Sequence, residues 1–307
     1  MSPLVHILVL NWNAYSYTIE CVHSLRRLKY ANYRIVLIDN GSTDNSEQIL
    51  HRELPDLPLL QTGANLGYAG GNNCGINYAL EHGADYIWIL NNDTRVDSNS
   101  LTALVDALER NPDAALAGSK IFYMDRSEHL AYAGADIDYL RGKLCHRGVN
   151  EIDNGQYDKL EAVDFVTGCS LLVRASLIEK VGLMSEDFFL YCEDVEWNLR
   201  FQKAGFICLY VPSSRIWHKE SGSAGGPENP NVVYYGARNR LYLFERHFPL
   251  LSRTTATVRY SLWHIKYLVT VYLQERKRFG EVFSAVSQGY RDYVARVVGC
   301  RPQRNSR

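Results

Sequence analysis

The sequence predicts an α/β fold, a mostly parallel and Rossmann-like sheet with helices on both faces, followed by a helical extension. Three observations point there. Short apolar runs alternate with helix-like segments through the first 125 residues, polar clusters follow the ends of those runs, and the pattern after residue 250 is helical. His6 to Leu10, Tyr33 to Asp39, Leu57 to Gln61, Tyr86 to Leu90 and Ala114 to Phe122 read as strands because they are short and rich in β-branched or aromatic residues. Between them, Tyr15 to Leu28, Ser46 to Leu54, Gly70 to His82 and Ser98 to Arg110 read as helices.

From Gly134 to Glu161 the pattern weakens into a polar, glycine-containing stretch, and Ala162 to Ala175 reads as a strand with Gly168 inside it. Asp194 to Ala204 is predicted helical, stopped by Gly205, and Ile207 to Val211 is a further strand. Ser221 to Pro230 has the composition of a flexible loop. Beyond it, Val258, Leu262, Ile265, Leu268 and Tyr272 recur at helical steps, with Arg259, Lys266 and Arg276 expected opposite. The expected division is a main domain over 1–249 and a basic amphipathic extension over 250–307.

The chain of 307 residues has a net charge of −1, which hides an asymmetry. Residues 250–307 carry eleven Lys/Arg against Glu275, Glu281 and Asp292, a surplus of eight, so the first 249 residues are strongly acidic. Such an end suits anionic headgroups or a phosphorylated acceptor, or is a solvated basic surface; a nucleic-acid partner is not expected. The extension offers a dimer surface, a peripheral membrane contact, or a packing layer in which Trp263, Tyr267 and Tyr272 cover the main domain. Seven cysteines without a CxxC pair point to neither a disulfide framework nor a zinc site. With no leader-like start and no run of roughly 20 apolar residues, a cytoplasmic protein is expected, at most peripheral at the inner face of the membrane.

In open α/β sheets ligands bind beyond the carboxyl ends of the strands. Here those ends are Asn11-Trp12-Asn13, Asp39-Asn40-Gly41-Ser42-Thr43-Asp44 and Asn91-Asn92-Asp93. The Asp39 carboxylate can accept from a nucleobase N–H or a ribose hydroxyl, or can simply cap a turn. No glycine-rich phosphate loop follows the first strand, which disfavours nicotinamide enzymes and weakens a nucleotidyltransferase reading. Phosphates would then need a metal, Mg2+ or Mn2+, for which Asp93 supplies a hard oxygen and Asn91 lies near the nucleotide. His218, beside Trp217, is either a further ligand or structural. Glu193-Asp194 follows an aromatic run at a helix start; the pair caps that helix, or Asp194 is a general base with Glu193 orienting acceptor or base.

In this order the segments resemble family-2 glycosyltransferases of the GT-A fold, and specifically their rhamnosyltransferase-like branch. The matching pieces are Leu10-Asn11-Trp12-Asn13, Asp39 to Asp44, Asn65-Leu66-Gly67-Tyr68-Ala69-Gly70-Gly71-Asn72-Asn73 and Leu90-Asn91-Asn92-Asp93-Thr94. Gly168 to Arg174, the Glu193-Asp194 segment, His218-Lys219-Glu220-Ser221 and Tyr235-Gly236-Ala237-Arg238-Asn239 complete them. The resemblance implies that Asp39 binds the nucleobase, that Asn91 to Asp93 stands at the family's Asp-X-Asp metal motif, and that Asp194 is the base. It also implies His218 near metal and diphosphate, and Arg238 at the donor. Asn11, Asn13, Asn65, Gly67, Gly71 and Asn92 are expected to line the donor side. Asn91 replaces the motif's first Asp, which removes one negative charge and weakens metal binding.

The implied activity is inverting transfer from a nucleotide-diphosphate sugar, dTDP-L-rhamnose first, to a glycan or polyprenyl-diphosphate-linked saccharide in polysaccharide synthesis. UDP-hexose or UDP-galactofuranose donors, and a non-catalytic nucleotide-sugar-binding protein, are the alternatives.

Overall fold

The computed structural model describes residues 2–219 and 229–302. In chain order it runs β1 (Val5–Asn11), α1 (Tyr15–Leu25), β2 (Tyr33–Asp39), α2 (Ser46–Glu53), β3 (Leu59–Gln61), α3 (Gly67–Glu81) and β4 (Tyr86–Asn91). Then follow β5 (Thr94–Val96), α4 (Ser100–Arg110), β6 (Ala114–Tyr123), β7 (Leu130–Tyr132), β8 (Ala135–Asp138), β9 (Lys143–His146), β10 (Glu161–Val163) and β11 (Ser170–Arg174). The remainder is α5 (Ile178–Val181), α6 (Glu193–Lys203), β12 (Ile207–His218), α7 (Pro230–His247), α8 (Leu250–Gln274) and α9 (Phe279–Val294).

The main sheet has the order β10-β12-β6-β11-β4-β1-β2-β3. Its β4-β1-β2-β3 half is parallel. Helices cover both faces, so these strands are apolar along their whole length: Ile7 to Val9, Val36 to Ile38 and Ile87 to Ile89 have no exposed surface. The other half adds antiparallel strands to the mostly parallel sheet. There β11 runs antiparallel to both β4 and β6, while β12 runs parallel to β6.

Three local departures have physical causes. The strand expected over 162–175 divides into β10 and β11, because backbone groups between them bond to side chains of α6. Asn198 accepts from Val166 N–H and donates to its carbonyl, both at 3.0 Å. The strand expected to stop at Val211 instead continues to His218 through a register shift between Val211 and Arg215, where Pro212 brings no N–H to the ladder. The weakly patterned 134–161 stretch holds the β8–β9 hairpin and is tied to β6 by the wholly buried Lys120, whose Nζ donates to Asp153 at 2.9 Å and Asp158 at 2.5 Å.

The C-terminal helices pack on the main domain: Phe244, Phe248, Ala256 and Tyr260 belong to the same core as the sheet. On α8 the buried face is Ser252, Ala256, Tyr260, His264 and Val271, whereas the predicted apolar positions Val258, Leu262, Ile265 and Tyr272 face outward. Trp263 also stays exposed. The expected loop over 221–230 falls on residues outside those described, apart from Asn229, whose side chain caps α7 by accepting from Asn231 N–H, and Pro230 in the first turn.

Candidate active site

Strand register gathers the polar ends. Asn11 pairs with Asp39 across β1 and β2, and Leu10 pairs with Asn91 across β1 and β4, so three strands deliver polar residues to one edge. At that edge Asp39 is wholly buried, and its carboxylate accepts from Asn11 Nδ2 at 2.8 Å, Ser42 Oγ at 2.6 Å, Ser42 N–H at 3.1 Å and Gln61 Nε2 at 3.0 Å. Asn11 in turn accepts from Thr18, which accepts from Asn92. Asn13, in the left-handed region at φ 51°, donates its N–H to Ser42 Oγ and accepts from Thr43 N–H. Asp39 thus organises a closed ring of polar groups, and Asn13 and Thr43 are its outer members.

The Asn65–Asn73 segment carries the beginning of α3. Asn65 Oδ1 accepts from Gly67 N–H at 2.8 Å, and Asn40 bridges to Gly67 O and Leu66 N–H. Gly67 and Gly71 are buried packing positions. A Cβ on Gly67, whose φ is +75°, would lie 2.3 Å from Phe189 O, and one on Gly71 would lie 2.6 Å from Leu10 Cδ1. Their smallness lets α3 close on β1 and on the segment before α6, a packing role that the structure adds to the expected donor contact.

The second station joins the end of β4 to the end of β12. Asp93 is buried, and its Oδ1 lies 3.0 Å from His218 Nε2 yet has no hydrogen-bond partner. Asn91 Nδ2 lies 3.4 Å from the same nitrogen. An orphaned carboxylate oxygen converging with an imidazole nitrogen is the donor set a divalent cation takes. Burial lowers the His218 pKa, but the Cys169 thiol and the Asp93 carboxylate outweigh it and hold it well above the ordinary histidine value. A cation bound here would displace that proton, since only neutral imidazole is a ligand. No cluster of three or more His, Cys, Asp or Glu occurs among the described residues, so a cation here would have few protein ligands and need oxygens from its ligand. Beside Asp93 a cavity of about 150 Å3 is lined by Tyr17, Glu20, Arg27, Arg95, Met124 and Lys219, a mainly cationic wall. A larger hollow, about 1070 Å3, lies near Pro3, Asp85 and Arg174, where the strands begin; it is at the wrong end of the sheet for the strand-end residues to reach.

The third station opens α6. Asp194 is partly exposed; its Oδ1 accepts from Val195 N–H and its Oδ2 from Gly168 N–H, both at 2.8 Å. The next residue, Cys169, accepts from Asn91 N–H at 3.1 Å. The Gly168–Cys169 backbone therefore connects the Asp194 carboxylate to Asn91, which neighbours His218. Glu193 is buried, and its Oε2 has no partner. Burial first, and Asp194 second, push its pKa well above the ordinary carboxylate range. Of the pair, Asp194 is the more exposed.

What holds this pair in place was not apparent as a role in the sequence. Phe189, Tyr191 and Cys192 have φ values of 59°, 67° and 72°, a nearly continuous left-handed run. Asn239 of α7, wholly buried, aims Nδ2 at the carbonyls of Phe188, Leu190 and Tyr191 at 2.6, 2.7 and 2.9 Å. Arg238, expected at the donor, has no exposed surface; its guanidinium donates to the Asp187 and Phe188 carbonyls, to Asn239 and to Tyr234. Tyr234 donates to Asp292 of α9. The reason for the departure is that α7 packs behind the 187–192 backbone, where a guanidinium can satisfy carbonyls that no strand or helix takes up. Asn239 lay in the quoted Tyr235–Asn239 segment, and its signal was the Arg-Asn pair itself, two amide- and guanidinium-bearing side chains together in a helix otherwise rich in aromatics.

A polar strand-end edge, the Asp93–His218 pair and the partly exposed Asp194 carboxylate thus gather on one side of the sheet. Residues 6–182 match the model described as "Glycosyl transferase family 2", and this chain belongs to that family. It is 31% identical over 231 residues to the N-acetylglucosaminyl-diphospho-decaprenol L-rhamnosyltransferase of Mycobacterium tuberculosis, covering 69% of this chain and 75% of the relative. It is 27% identical over 253 residues to the dTDP-rhamnosyl transferase RfbF of Shigella flexneri, covering 80% and 82%. The fold is similar to that of a Pyrobaculum calidifontis mannosyltransferase solved with GDP-Man and Mn2+, with a TM-score of 0.58 at 14% identity over 95% of this chain and 88% of the other. The rhamnosyltransferase-like reading of the motifs and the expected GT-A fold are both borne out.

Proposed function

We propose that this family-2 glycosyltransferase transfers L-rhamnose from dTDP-L-rhamnose, with inversion, onto a saccharide carried by a polyprenyl diphosphate. The observation that carries the reading is a partly exposed Asp194 tied through the Gly168–Cys169 backbone to Asn91, beside the Asp93–His218 station. The similarity to two rhamnosyltransferases supports the donor, and the name of the mycobacterial relative supports a lipid-linked acceptor. Such an acceptor lies in a membrane, and work at the inner face suits it.

In this mechanism the ring around Asp39, with Asn13 and Thr43 outermost, forms the nucleotide side of the cleft. Arg27, Arg95 and Lys219 lend positive charge to the diphosphate beside Asp93. Asp194 accepts the proton of the acceptor hydroxyl, whose oxygen forms the new bond to the anomeric carbon while that carbon's bond to dTDP breaks from the opposite face. Burial of Glu193 disfavours a second negative charge beside the base. Asp93 and His218 would hold Mn2+ or Mg2+, which when bound supplies charge neutralisation on the departing diphosphate.

The test is dTDP release from dTDP-L-rhamnose against a panel of UDP- and GDP-sugars, with a polyprenyl-diphosphate-linked saccharide as acceptor, with and without EDTA. Release from the rhamnose donor alone, lost in EDTA and restored by Mn2+ or Mg2+, is expected. Release from a different sugar nucleotide overturns the donor, and EDTA-resistant turnover overturns the metal.

A further inference from the structure

We propose that the outward face of α8 lies in the headgroup region of an anionic lipid bilayer. The inference extends the lipid-linked acceptor reading but stands on separate observations. α8 is apolar on two sides. Its inner side, with Ala256, Tyr260 and Val271, packs on the protein. Its outer side presents Leu251, Val258, Leu262, Ile265, Val269 and Leu273, between 53 and 77% exposed. At 3.6 residues per turn these six fall in one stripe, about 33 Å long. A stripe of that length has no counterpart to cover it among the described residues, and its helix is not apolar enough to cross a membrane.

Charge decides between occupants. Arg259 and Lys266, both exposed, flank the stripe on one side, and α8 itself contains no Asp or Glu. The first acid after it, Glu275, pairs with Arg278. A second copy docked antiparallel on the same stripe would set the Arg259 and Lys266 flanks of the two molecules against each other; a parallel copy would set them against Ser261 and Leu268. Neither arrangement supplies an acid. Lipid phosphates do, and an interfacial helix has this form, an apolar stripe inserted shallowly with cations at its border. Because Tyr260 of α8 donates to Gly236 of α7, the bilayer contact stands one helix layer, roughly 10 Å, from the helix that holds the 187–192 segment.

The full chain should cosediment with phosphatidylcholine vesicles containing phosphatidylglycerol and much less with phosphatidylcholine alone. Leu262→Asp with Ile265→Asp should weaken that binding by more than about tenfold. Arg259→Glu with Lys266→Glu should also weaken it about tenfold or more, and salt should mimic the effect. Both double variants should keep the wild-type melting temperature and dTDP-L-rhamnose affinity, so a failure here is separable from failure of the donor reading. Wild type that ignores the anionic vesicles overturns the inference. So does unchanged vesicle binding by both variants, or a stable dimer in sedimentation velocity that the Leu262/Ile265 pair dissolves.

Discussion

The proposed donor edge, around Asp39, and the proposed catalytic segment, before Asp194, are built in opposite ways. At the donor edge the polar groups come from successive strand ends and bond mainly to each other: Asp39 to Asn11, Ser42 and Gln61, and Asn11 to Thr18. The segment before Asp194 has little regular structure of its own and is held from outside, by Asn239 and Arg238 on α7 and, through Tyr234, by α9. A strand end is aimed by its sheet. A left-handed run in a loop has to be aimed by something else, and here that is a helix some fifty residues further along the chain.

The contrast yields tests of decreasing size. Asp194→Asn removes the only open carboxylate of its pair and should lower kcat by about 10^2–10^4-fold while leaving dTDP-sugar affinity, measured by titration calorimetry, near wild type. Retained turnover would dissociate the catalytic segment from the chemistry. Gly67→Ala forces a side chain into a left-handed position against Phe189 O, where the two regions touch. It should cost about 2–4 kcal/mol of stability by denaturant unfolding and impair donor affinity and turnover together. If only one of them moved, the regions would be less coupled than their contact implies.

Asn239→Ala strips a donor from three carbonyls of the catalytic segment and should cost about 1–3 kcal/mol. Its kcat should fall with donor affinity preserved, since the strand-end ring does not depend on it. The most gradual effect concerns Glu193. Its pKa is raised in the folded chain, so the folded state keeps a proton that the unfolded state loses above the ordinary value of 4.5. Stability should therefore decline as pH rises from there, with a slope of at most about 1.4 kcal/mol per pH unit. Glu193→Gln should flatten that slope in unfolding curves taken across the same range, and an unchanged slope would mean the group titrates normally.

The sequence revealed the donor edge because parallel strands buried on both faces are apolar runs, and a polar residue at the end of such a run stands out. Asn11, Asp39 and Asn91 all emerge that way. Asp194 and His218 were legible through the order of motifs, and the structure brings both to the same side of the sheet. Arg238 was misread because a charged residue in a family motif suggests a ligand, whereas buried carbonyls without partners are invisible until the backbone is known. Gly67 and Gly71 read two ways in the sequence, because close packing and ligand approach both ask for glycine. The outer stripe of α8 was found by periodicity, but periodicity does not say which of two apolar faces meets the protein.

The left-handed run before Asp194 has a consequence for engineering and for evolution. Phe189, Tyr191 and Cys192 each sit where glycine would be comfortable, and a non-glycine residue there costs on the order of 1 kcal/mol. The chain keeps bulky residues that stack on Tyr235 or fill the core, accepting local strain in exchange for a loop with one shape. Replacing Cys192 by glycine would relax that strain while widening the range of directions open to Asp194. Selection for heat resistance and selection for turnover would then pull this short stretch of backbone in different directions.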